Sequence, residues 1–519
     1  MTIFSRTIKL LHDKLFKKEN ASVKNPDSLQ KDTSRSNENE KETIKAEPSI
    51  SHKKDTFESF STKKQRDPYF IQIGYDFGTS FSKCIYREIA KNRAWIYYSS
   101  AHPTNEYPFL IPTSVICDQG NFRFQTSHDR YYSTNGLIHI KLALQKVALG
   151  EWNADVLKSY KRALARDDNE SLKEFIESIA VFFLASSFQD VKNEIKNKFT
   201  DFGSNSNDQF AINMAIPVAD ASNRSVNSLF QHVLYHAWDL SSQNHNLEKI
   251  SYNELAKVIK SRETNSDLCH VYPEVSANVQ ALIRSPAAAP EETAIYFFTD
   301  TGAGTVDQSV FTYTRRNSRL NYFASNVWLH GSSKIELLAS QQASNSFDSE
   351  FLEYWRKKKE NNSQDPQLIT ARSKIEDRLK NSTSTTINET LRCLANGPNV
   401  TPLGTLRDNS RLIFSGGGHT EFPYKSAVFK AYKNTYLPEN FTPQTTSIRA
   451  PDDLDLTEHQ RRYWMPRLYV AYGLSFLIQD LTKHEFPDPI PDTTPDPHPV
   501  CPCGGRNPRC PRCVAEVWG

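Results

Sequence analysis

The chain has 519 residues, more than one hydrophobic core of about 250–300 residues accommodates, so two or more lobes are expected. Its 63 basic and 60 acidic residues leave a net charge of +3, which does not favour nucleic acid as a partner. The sequence contains no run of about 18 uncharged apolar residues that would predict a transmembrane segment. These features predict a soluble, cytoplasmic protein.

The first 20 residues have the pattern of a basic amphipathic helix. Phe4, Ile8, Leu11 and Leu15 recur at helical spacing, with lysine and arginine residues around them. Such a helix would lie on an anionic membrane surface, as a peripheral contact, or dock in a groove of a partner protein. A marginal helix in front of a tail is the alternative, because a helix this short is barely stable alone. Residues 21–67 are polar and predict a disordered tether.

Residues 68–218 predict the first lobe of an α/β fold, and residues 219–482 predict a second lobe that returns to the first at its C-terminal end. Hydrophobic periodicity predicts strands at residues 69–76, 94–98, 109–116, 121–125 and 210–217, and helices at 137–148, 171–199 and 228–239. It also predicts strands at 294–299, 308–313 and 412–414, and helices at 334–355 and 367–380. Both halves open with a strand, a glycine turn and a strand, which indicates duplication of structure without duplication of sequence.

The first glycine turn is Asp76-Phe77-Gly78-Thr79-Ser80. A turn of this composition cradles phosphate, because glycine allows backbone N–H groups to approach the anion and the hydroxyl groups add further donors. The aspartate would face hydrated Mg²⁺, a cation that keeps most of its waters. Taken alone, the motif is also compatible with an ordinary β-hairpin.

Two more glycine turns follow later in the chain. Asp300-Thr-Gly-Ala-Gly-Thr-Val-Asp307 again lies between two predicted strands, so it predicts a second phosphate cradle. Ser415-Gly-Gly-Gly418 follows its own strand, and its backbone could pass close to a ribose or a flat ring. Three glycine turns in this order indicate a nucleotide held from two sides.

The order and spacing of these motifs resemble the actin-like ATPase superfamily, and most of all the nucleotide-binding domain of the seventy-kilodalton heat-shock-protein chaperones. The resemblance covers about residues 68–482 and implies a two-lobed fold of duplicated ribonuclease-H-like sheets flanked by helices. Further segments resemble the chaperone branch: Pro112-Thr-Ser-Val115, Met214-Ala-Ile-Pro217, Pro273-Glu-Val-Ser-Ala277 and Val470-Ala-Tyr-Gly473. The last two resemble the segments that connect the two lobes.

The resemblance implies ATP as ligand and Mg²⁺ as cofactor, with Asp76 and Asp300 holding the metal through waters. It implies four catalytic residues: Lys141, Glu274, Asp300 and Thr305. The implied nucleotide-binding residues are Gly78, Thr79, Ser80, Lys83, Gly302, Ala303, Gly304, Gly416, Gly417, Gly418 and Gly473. Lys141 is favoured for catalysis and Lys83 for phosphate contact, although each lysine could instead be an ordinary solvated side chain.

The adenosine-binding segments depart from the chaperone pattern. The third glycine turn continues Gly-His-Thr-Glu and lacks the arginine that the chaperones have there, and Arg467 stands where an acidic residue is expected. Glu376 and Asp377 replace an expected basic pair. Recognition of the base is therefore predicted less firmly than recognition of the phosphates.

The C-terminal region separates into a proline-rich linker, residues 483–500, and a cysteine-rich tail, residues 501–519. The tail carries Cys501, Cys503, Cys510 and Cys513, four thiols in two close pairs, which predict a structural zinc site. A redox-active or reduced tail is the alternative. Its three arginines would suit an acidic protein and give only weak support for nucleic acid.

Four functions remain open on the sequence. The first is a chaperone-like ATP-binding protein, a slow ATPase as the resemblance implies, whose nucleotide state gates binding of a protein partner through its termini. Only about 35 residues follow the ATPase-like region, too few for the peptide-binding domain of a full chaperone. The alternatives are a filament-forming relative of bacterial actin and a nucleotide-sensing scaffold with degenerate hydrolysis. A sugar kinase ranks lowest, because no hydroxyl-activating aspartate stands in the expected register.

Overall fold

Strands and helices alternate along the chain, and the computed structural model shows a mixed α/β protein. The structure describes residues 66–99, 107–126, 129–166, 168–217, 223–243, 250–261, 266–284, 294–344, 349–396, 409–434, 443–448 and 450–486, with a few single residues between these ranges. The predicted helix at residues 1–20, most of the predicted tether and linker, and the cysteine tail lie outside the described residues. The zinc site at Cys501, Cys503, Cys510 and Cys513 therefore stays a prediction.

The first large sheet is built around a strand that is buried along almost its whole length. Its strands are β1 (Phe70–Asp76), β2 (Phe81–Glu88), β3 (Arg93–Ile96), β4 (Ile111–Pro112), β8 (Gln209–Ile216) and β9 (Cys269–Pro273). Their order is β3-β2-β1-β8-β9, with β4 added to β2. The first three strands are antiparallel, and β8 and β9 run parallel to β1. Because β1 is buried on both faces, helices can cover both sides of this sheet.

The second large sheet repeats the same arrangement. Its strands are β10 (Ile295–Thr301), β11 (Val306–Thr314), β12 (Arg319–Trp328), β13 (Ser410–Ser415), β14 (Gln444–Thr445) and β15 (Lys483–Glu485). Strands β10, β11 and β12 are antiparallel, and β13 and β14 run parallel to β10. The order β12-β11-β10-β13-β14 therefore matches that of the first sheet, with β15 added beside β12. A smaller antiparallel sheet contains β5 (Ser114–Asp118), β6 (Asn121–Phe124) and β7 (Gly136–Ile138).

The helices fall into two groups that follow the two sheets in the sequence. The first group is α1 (Ile140–Ala148), α2 (Leu157–Leu164), α3 (Asn169–Lys198), α4 (Arg224–Ser242), α5 (Tyr252–Lys260) and α6 (Glu274–Ile283). The second group is α7 (Ser333–Ser344), α8 (Ser349–Glu360), α9 (Pro366–Asn396), α10 (Tyr424–Asn434), α11 (Glu458–Tyr463) and α12 (Met465–Leu474). Local signals start several of them, as where the Asp168 carboxylate accepts the Ser171 N–H at 2.7 Å at the start of α3. No helix in these described ranges is both long and apolar enough to span a bilayer.

Helices α6 and α12 join the two sheets. α6 follows the last strand of the first sheet and precedes β10, and α12 packs on β1, β2 and β8 as well as on β13. The two helices cross with their backbones in contact, because a Cβ atom at Gly473 would lie 1.9 Å from the carbonyl oxygen of Ala277. Gly74 in β1 allows a similar approach, since its Cβ would lie 2.2 Å from the Ala471 carbonyl oxygen. These contacts fix α12 against both α6 and the centre of the first sheet.

The predicted elements are found with altered boundaries. The predicted helix over 137–148 begins only at Ile140, because residues 136–138 pair with β5 as a strand. The predicted helix over 334–355 is two helices, α7 and α8, and the helix predicted at 367–380 extends to Asn396. Residues 483–485, assigned to the linker, pair with β12 as β15. Sequence periodicity did not indicate α2, α5, β9 or β12.

We expect Gly473→Ala to destabilise the protein, although alanine normally favours a helix over glycine by about 1 kcal/mol. The added methyl group would overlap the Ala277 carbonyl and force α6 and α12 apart, at a cost of about 1–3 kcal/mol. Urea unfolding of the variant measures this loss. Lys158→Ala is the control, because that side chain on α2 is 71% exposed and its loss should change stability by less than about 0.5 kcal/mol. A Gly473→Ala protein as stable as the wild type would contradict the close crossing.

Candidate functional site

Two glycine turns, one from each large sheet, touch each other. Turn A, residues 77–80, joins β1 to β2, and turn B, residues 302–305, joins β10 to β11. A Cβ atom at Gly304 would lie 2.5 Å from the Cγ2 atom of Thr79, so the methyl group of Thr79 packs directly on the glycine. Two loops about 220 residues apart in sequence thus form one wall of a cavity.

The backbone of turn B is oriented by the segment that follows β12. The N–H groups of Gly331, Ser332 and Ser333 donate to the carbonyl oxygens of Gly304, Gly302 and Ala303, at 3.2, 3.0 and 2.8 Å. In a trans peptide the carbonyl and the following N–H point in opposite directions. The N–H groups of residues 303–305 therefore point away from residues 331–333, as in a nest of amides that binds anions.

Acidic residues end the first strand of each hairpin. Asp76 lies opposite Lys83 in the register of β1 and β2, and the Lys83 ammonium donates to Asp76 Oδ2 at 2.7 Å. Asp300 lies opposite Asp307 at the equivalent position of β10 and β11. The first hairpin therefore carries an ion pair where the second carries two buried carboxyl groups.

A buried ion pair faces these hairpins from two helices. Lys141 in the first turn of α1 donates to Glu274 Oε2 at 2.5 Å, and Glu274 is the first residue of α6. Burial alone would lower the pKa of Lys141, but the negative charges of Glu274 and Asp76 outweigh it and hold that pKa above its usual value. Lys141 is therefore a charged ammonium inside the cavity.

The cluster holds more acidic than basic groups. Four carboxyl groups, those of Asp76, Glu274, Asp300 and Asp307, face two ammonium groups. Burial, reinforced by the charge of Glu274, raises the pKa of Asp300 to about 7 and that of Asp307 well above its ordinary value. Additional positive charge would stabilise the ionised form of these acids.

Asp300 is held in place by two neighbours that the sequence did not indicate. Asn278 Nδ2 donates to Asp300 Oδ2 at 2.7 Å, and the Ser415 hydroxyl donates to the same oxygen at 3.3 Å. Asn278 lies one helical turn after Glu274 on the buried helix α6. That spacing of two polar residues on a buried helix is the signal that could have identified Asn278. Asp307 was not predicted as a site residue, although its motif was recognised.

The third glycine turn lies beside Asp300. Gly416 has a φ of +83°, and its Cβ would lie 2.3 Å from Asp300 Oδ1, so only glycine fits there. Gly418 N–H donates to the Thr301 carbonyl at 2.9 Å, which ties this turn to the end of β10. A Cβ atom at Gly417 would lie 2.4 Å from Nη1 of Arg467.

Charged pairs line the cavity beyond the third glycine turn. Arg372 in α9 lies 3.7 Å from Glu421, and Lys359 in α8 lies 2.5 Å from Glu336. Glu376 instead pairs with Lys430 at 2.7 Å on α10, and neither it nor Asp377 lines the cavity. Glu376 and Asp377, the acidic pair that departs from the chaperone pattern, therefore lie outside the cavity.

The cavity enclosed by these groups has a volume of about 1230 Å³, above the range of about 300–1,000 Å³ typical for small-molecule sites. Predicted site residues that line it are Asp76, Gly78, Thr79, Ser80, Lys83, Lys141, Glu274, Asp300, Gly302, Ala303, Thr305, Gly416, Gly417 and Gly418. Gly304 contacts Thr79 behind this surface. Gly473 lies at the crossing of α6 and α12, so its role in the structure is helix packing.

Direct metal coordination is not prearranged in the part of the chain that the structure describes. No group of three or more histidine, cysteine or acidic side chains there is arranged to hold a metal ion. Asp76 Oδ1 is nevertheless buried without a hydrogen-bond partner. A buried carboxylate oxygen of this kind fits a donor such as a metal-bound water.

No protein-family model matches the chain, and no curated protein matches its sequence. The assignment of a function therefore depends on the geometry of this cavity.

We expect Asp300→Asn to raise the free energy of unfolding of the ligand-free protein at pH 8 by about 0.5–2 kcal/mol. The amide removes one buried negative charge and keeps an oxygen that accepts from Asn278 and Ser415. Chemical denaturation in the presence of a metal chelator measures the change. Asp118→Asn is the control, since its carboxylate is half exposed and should change stability by less than about 0.5 kcal/mol. A destabilised Asp300→Asn protein would contradict the claim that the ionised Asp300 carboxylate is unfavourable in the ligand-free cluster.

Proposed function

We propose that the protein binds ATP with Mg²⁺ between its two glycine turns and hydrolyses it slowly, as a member of the actin-like ATPase superfamily. The observation that carries the proposal is the contact of turn A with turn B at Thr79 and Gly304, at one wall of a large polar cavity. The matching strand orders of the two large sheets support the two-lobed, duplicated architecture of that superfamily.

The phosphates of ATP fit the donors at the two turns. The amides of residues 303–305, the hydroxyl groups of Thr79 and Ser80, and the ammonium of Lys83 supply neutral and charged donors along one wall. Such donors bind anions with little reorganisation, because the backbone is fixed before the ligand arrives. The arrangement favours a polyphosphate over a single anion, since the donors come from two separate loops.

The residues present also fit a hydrated Mg²⁺. Asp76 Oδ1 has no hydrogen-bond partner among the described residues, Asp300 packs against the third glycine turn, and acidic groups outnumber ammonium groups in the cluster. When bound, Mg²⁺ would neutralise charge on the phosphates. Asp76 and Asp300 would hold it through waters, while Asn278 and Ser415 fix the orientation of Asp300.

Lys141, Glu274 and Thr305 are the residues proposed to act on the terminal phosphate. Glu274 at the start of α6 accepts from Lys141 and can accept a second hydrogen bond from an attacking water. The Lys141 charge and the Thr305 hydroxyl, which donates to Asp307 at 3.0 Å, lie at the same wall. Phosphoryl transfer needs mainly positioned charges and donors, so these groups suffice for a slow reaction.

Nucleotide-gated binding of a protein partner, in the manner of a chaperone-like switch, belongs to the same proposal. The cysteine tail and the N-terminal helix, which were predicted as docking points, lie outside the described residues, so the partner stays a prediction.

We expect the wild-type protein to bind ATP in the presence of Mg²⁺, and Asp76→Ala and Asp300→Ala to lower the affinity by about 10–100-fold each. The reason is the loss of a carboxylate that orients the metal waters. Isothermal titration calorimetry measures the affinities, with Asp155→Ala as a control because that carboxylate is 89% exposed. Failure of the wild type to bind ATP would refute the proposed function.

Lys141→Met should separate binding from hydrolysis. We expect ATP affinity to change by less than about tenfold, and hydrolysis in a single turnover to fall by about 100–1,000-fold, because a positioned charge is lost. Lys146→Met on the same helix is the matched control, since Lys146 pairs with Glu151 at the surface. Equal hydrolysis by wild type and Lys141→Met would contradict the catalytic role of Lys141.

A further inference from the structure

Arg467 lies in the first turn of α12 and lines the cavity. Its guanidinium carbon is 4.3 Å from the centroid of the Tyr107 ring, a cation–π distance. On its other side Nη1 approaches Gly417 so closely that no side chain fits there. An aromatic ring and a bare backbone therefore hold the guanidinium at a defined place in the cavity wall.

Among the described residues, Arg467 differs from the other cations of the cavity in having no acidic partner. Lys83, Lys141, Lys359, Arg356 and Arg372 each lie within 4 Å of a carboxylate. The Arg467 side chain forms no hydrogen bond or ion pair within the part of the chain that the structure describes. Its donors, up to five N–H groups in a planar fork, are available to a ligand.

The position of Arg467 along the wall indicates which part of a nucleotide it would meet. Asp300, just before turn B, packs against Gly416, and Arg467 packs against the next residue, Gly417. Beyond it the loop continues to Glu421 and Phe422, and the Phe422 side chain lines the cavity with 58% of its surface exposed. Arg467 thus contacts the third glycine turn one residue after the glycine that packs on Asp300, and the same loop continues to an exposed aromatic ring suited to a base.

From this order of contacts along the wall, we propose that Arg467 binds the α-phosphate of the nucleotide. This inference rests on the proposed function and adds to it a phosphate contact outside the two glycine turns. A guanidinium fork matches the geometry of two phosphate oxygens, and the Tyr107 ring restricts its motion before binding. The contact selects nucleotides over nucleosides, because a nucleoside carries no phosphate at this point.

The test compares adenosine, AMP, ADP and ATP as competitors of a fluorescent ATP analogue, with Mg²⁺ present. Arg467→Gln should weaken AMP, ADP and ATP by a similar factor of about 10–100, as expected for a hydrogen-bonded charge, and leave adenosine unchanged. Arg467→Lys should recover part of the loss, because it restores the charge without the fork. Arg462→Gln is the matched control, since Arg462 also lies over a tyrosine ring, that of Tyr463, but outside the cavity.

The outcomes distinguish this inference from the function on which it rests. If the wild type binds no nucleotide, the proposed function fails. If the wild type binds ATP and Arg467→Gln binds AMP, ADP and ATP equally well, the assignment of Arg467 is wrong. Equal weakening of adenosine and AMP would also overturn it, because Arg467 would then act on the fold or on the nucleoside instead of the α-phosphate.

Discussion

The crossing of α6 and α12 is the constraint on which the rest of the structure depends. Gly473 lets the backbones of the two helices touch, and no layer of side chains separates them at that point. α6 brings Glu274 to the cavity and Asn278 to Asp300, and α12 brings Arg467. Because α12 also packs on strands of both large sheets, the crossing fixes how the two hairpins face each other. The close packing of two helix backbones, in which no polar side chain takes part, therefore determines the geometry of a polar site.

The site combines groups that oppose one another in the ligand-free protein. Burial and the charge of Glu274 raise the pKa of Asp300 and that of Asp307, while lysines and backbone amides prepare the same space for an anion. An arrangement of this kind costs stability unless a cation and an anion enter together. That balance agrees with a ligand that carries a metal ion and several phosphates. It also explains why Asn278 and Ser415 are needed, since a buried acid without donors would turn away or become protonated.

Much of the fold and the site could be predicted from the sequence. Apolar strands ending in glycine turns are local signals, so β1, β10 and β13 and their turns were placed within a few residues. Contacts between distant segments could not be predicted in this way. Asn278 acts on Asp300 only after α6 packs beside β10, and the stacking of Arg467 on Tyr107 joins residues far apart in the chain. Gly473 shows a further limit, because a glycine required by a neighbouring helix looks the same in sequence as one required by a ligand.

The central claim is that one polyphosphate chain is held by turn A and turn B together. Hydrogen–deuterium exchange of the full chain, with and without ATP and Mg²⁺, tests it most directly through the amides of residues 78–80 and 303–305. The account predicts slower exchange in both turns at the same ATP concentration, since each donates to the same ligand. Slowing in only one turn, or in neither while ATP is bound, would contradict it.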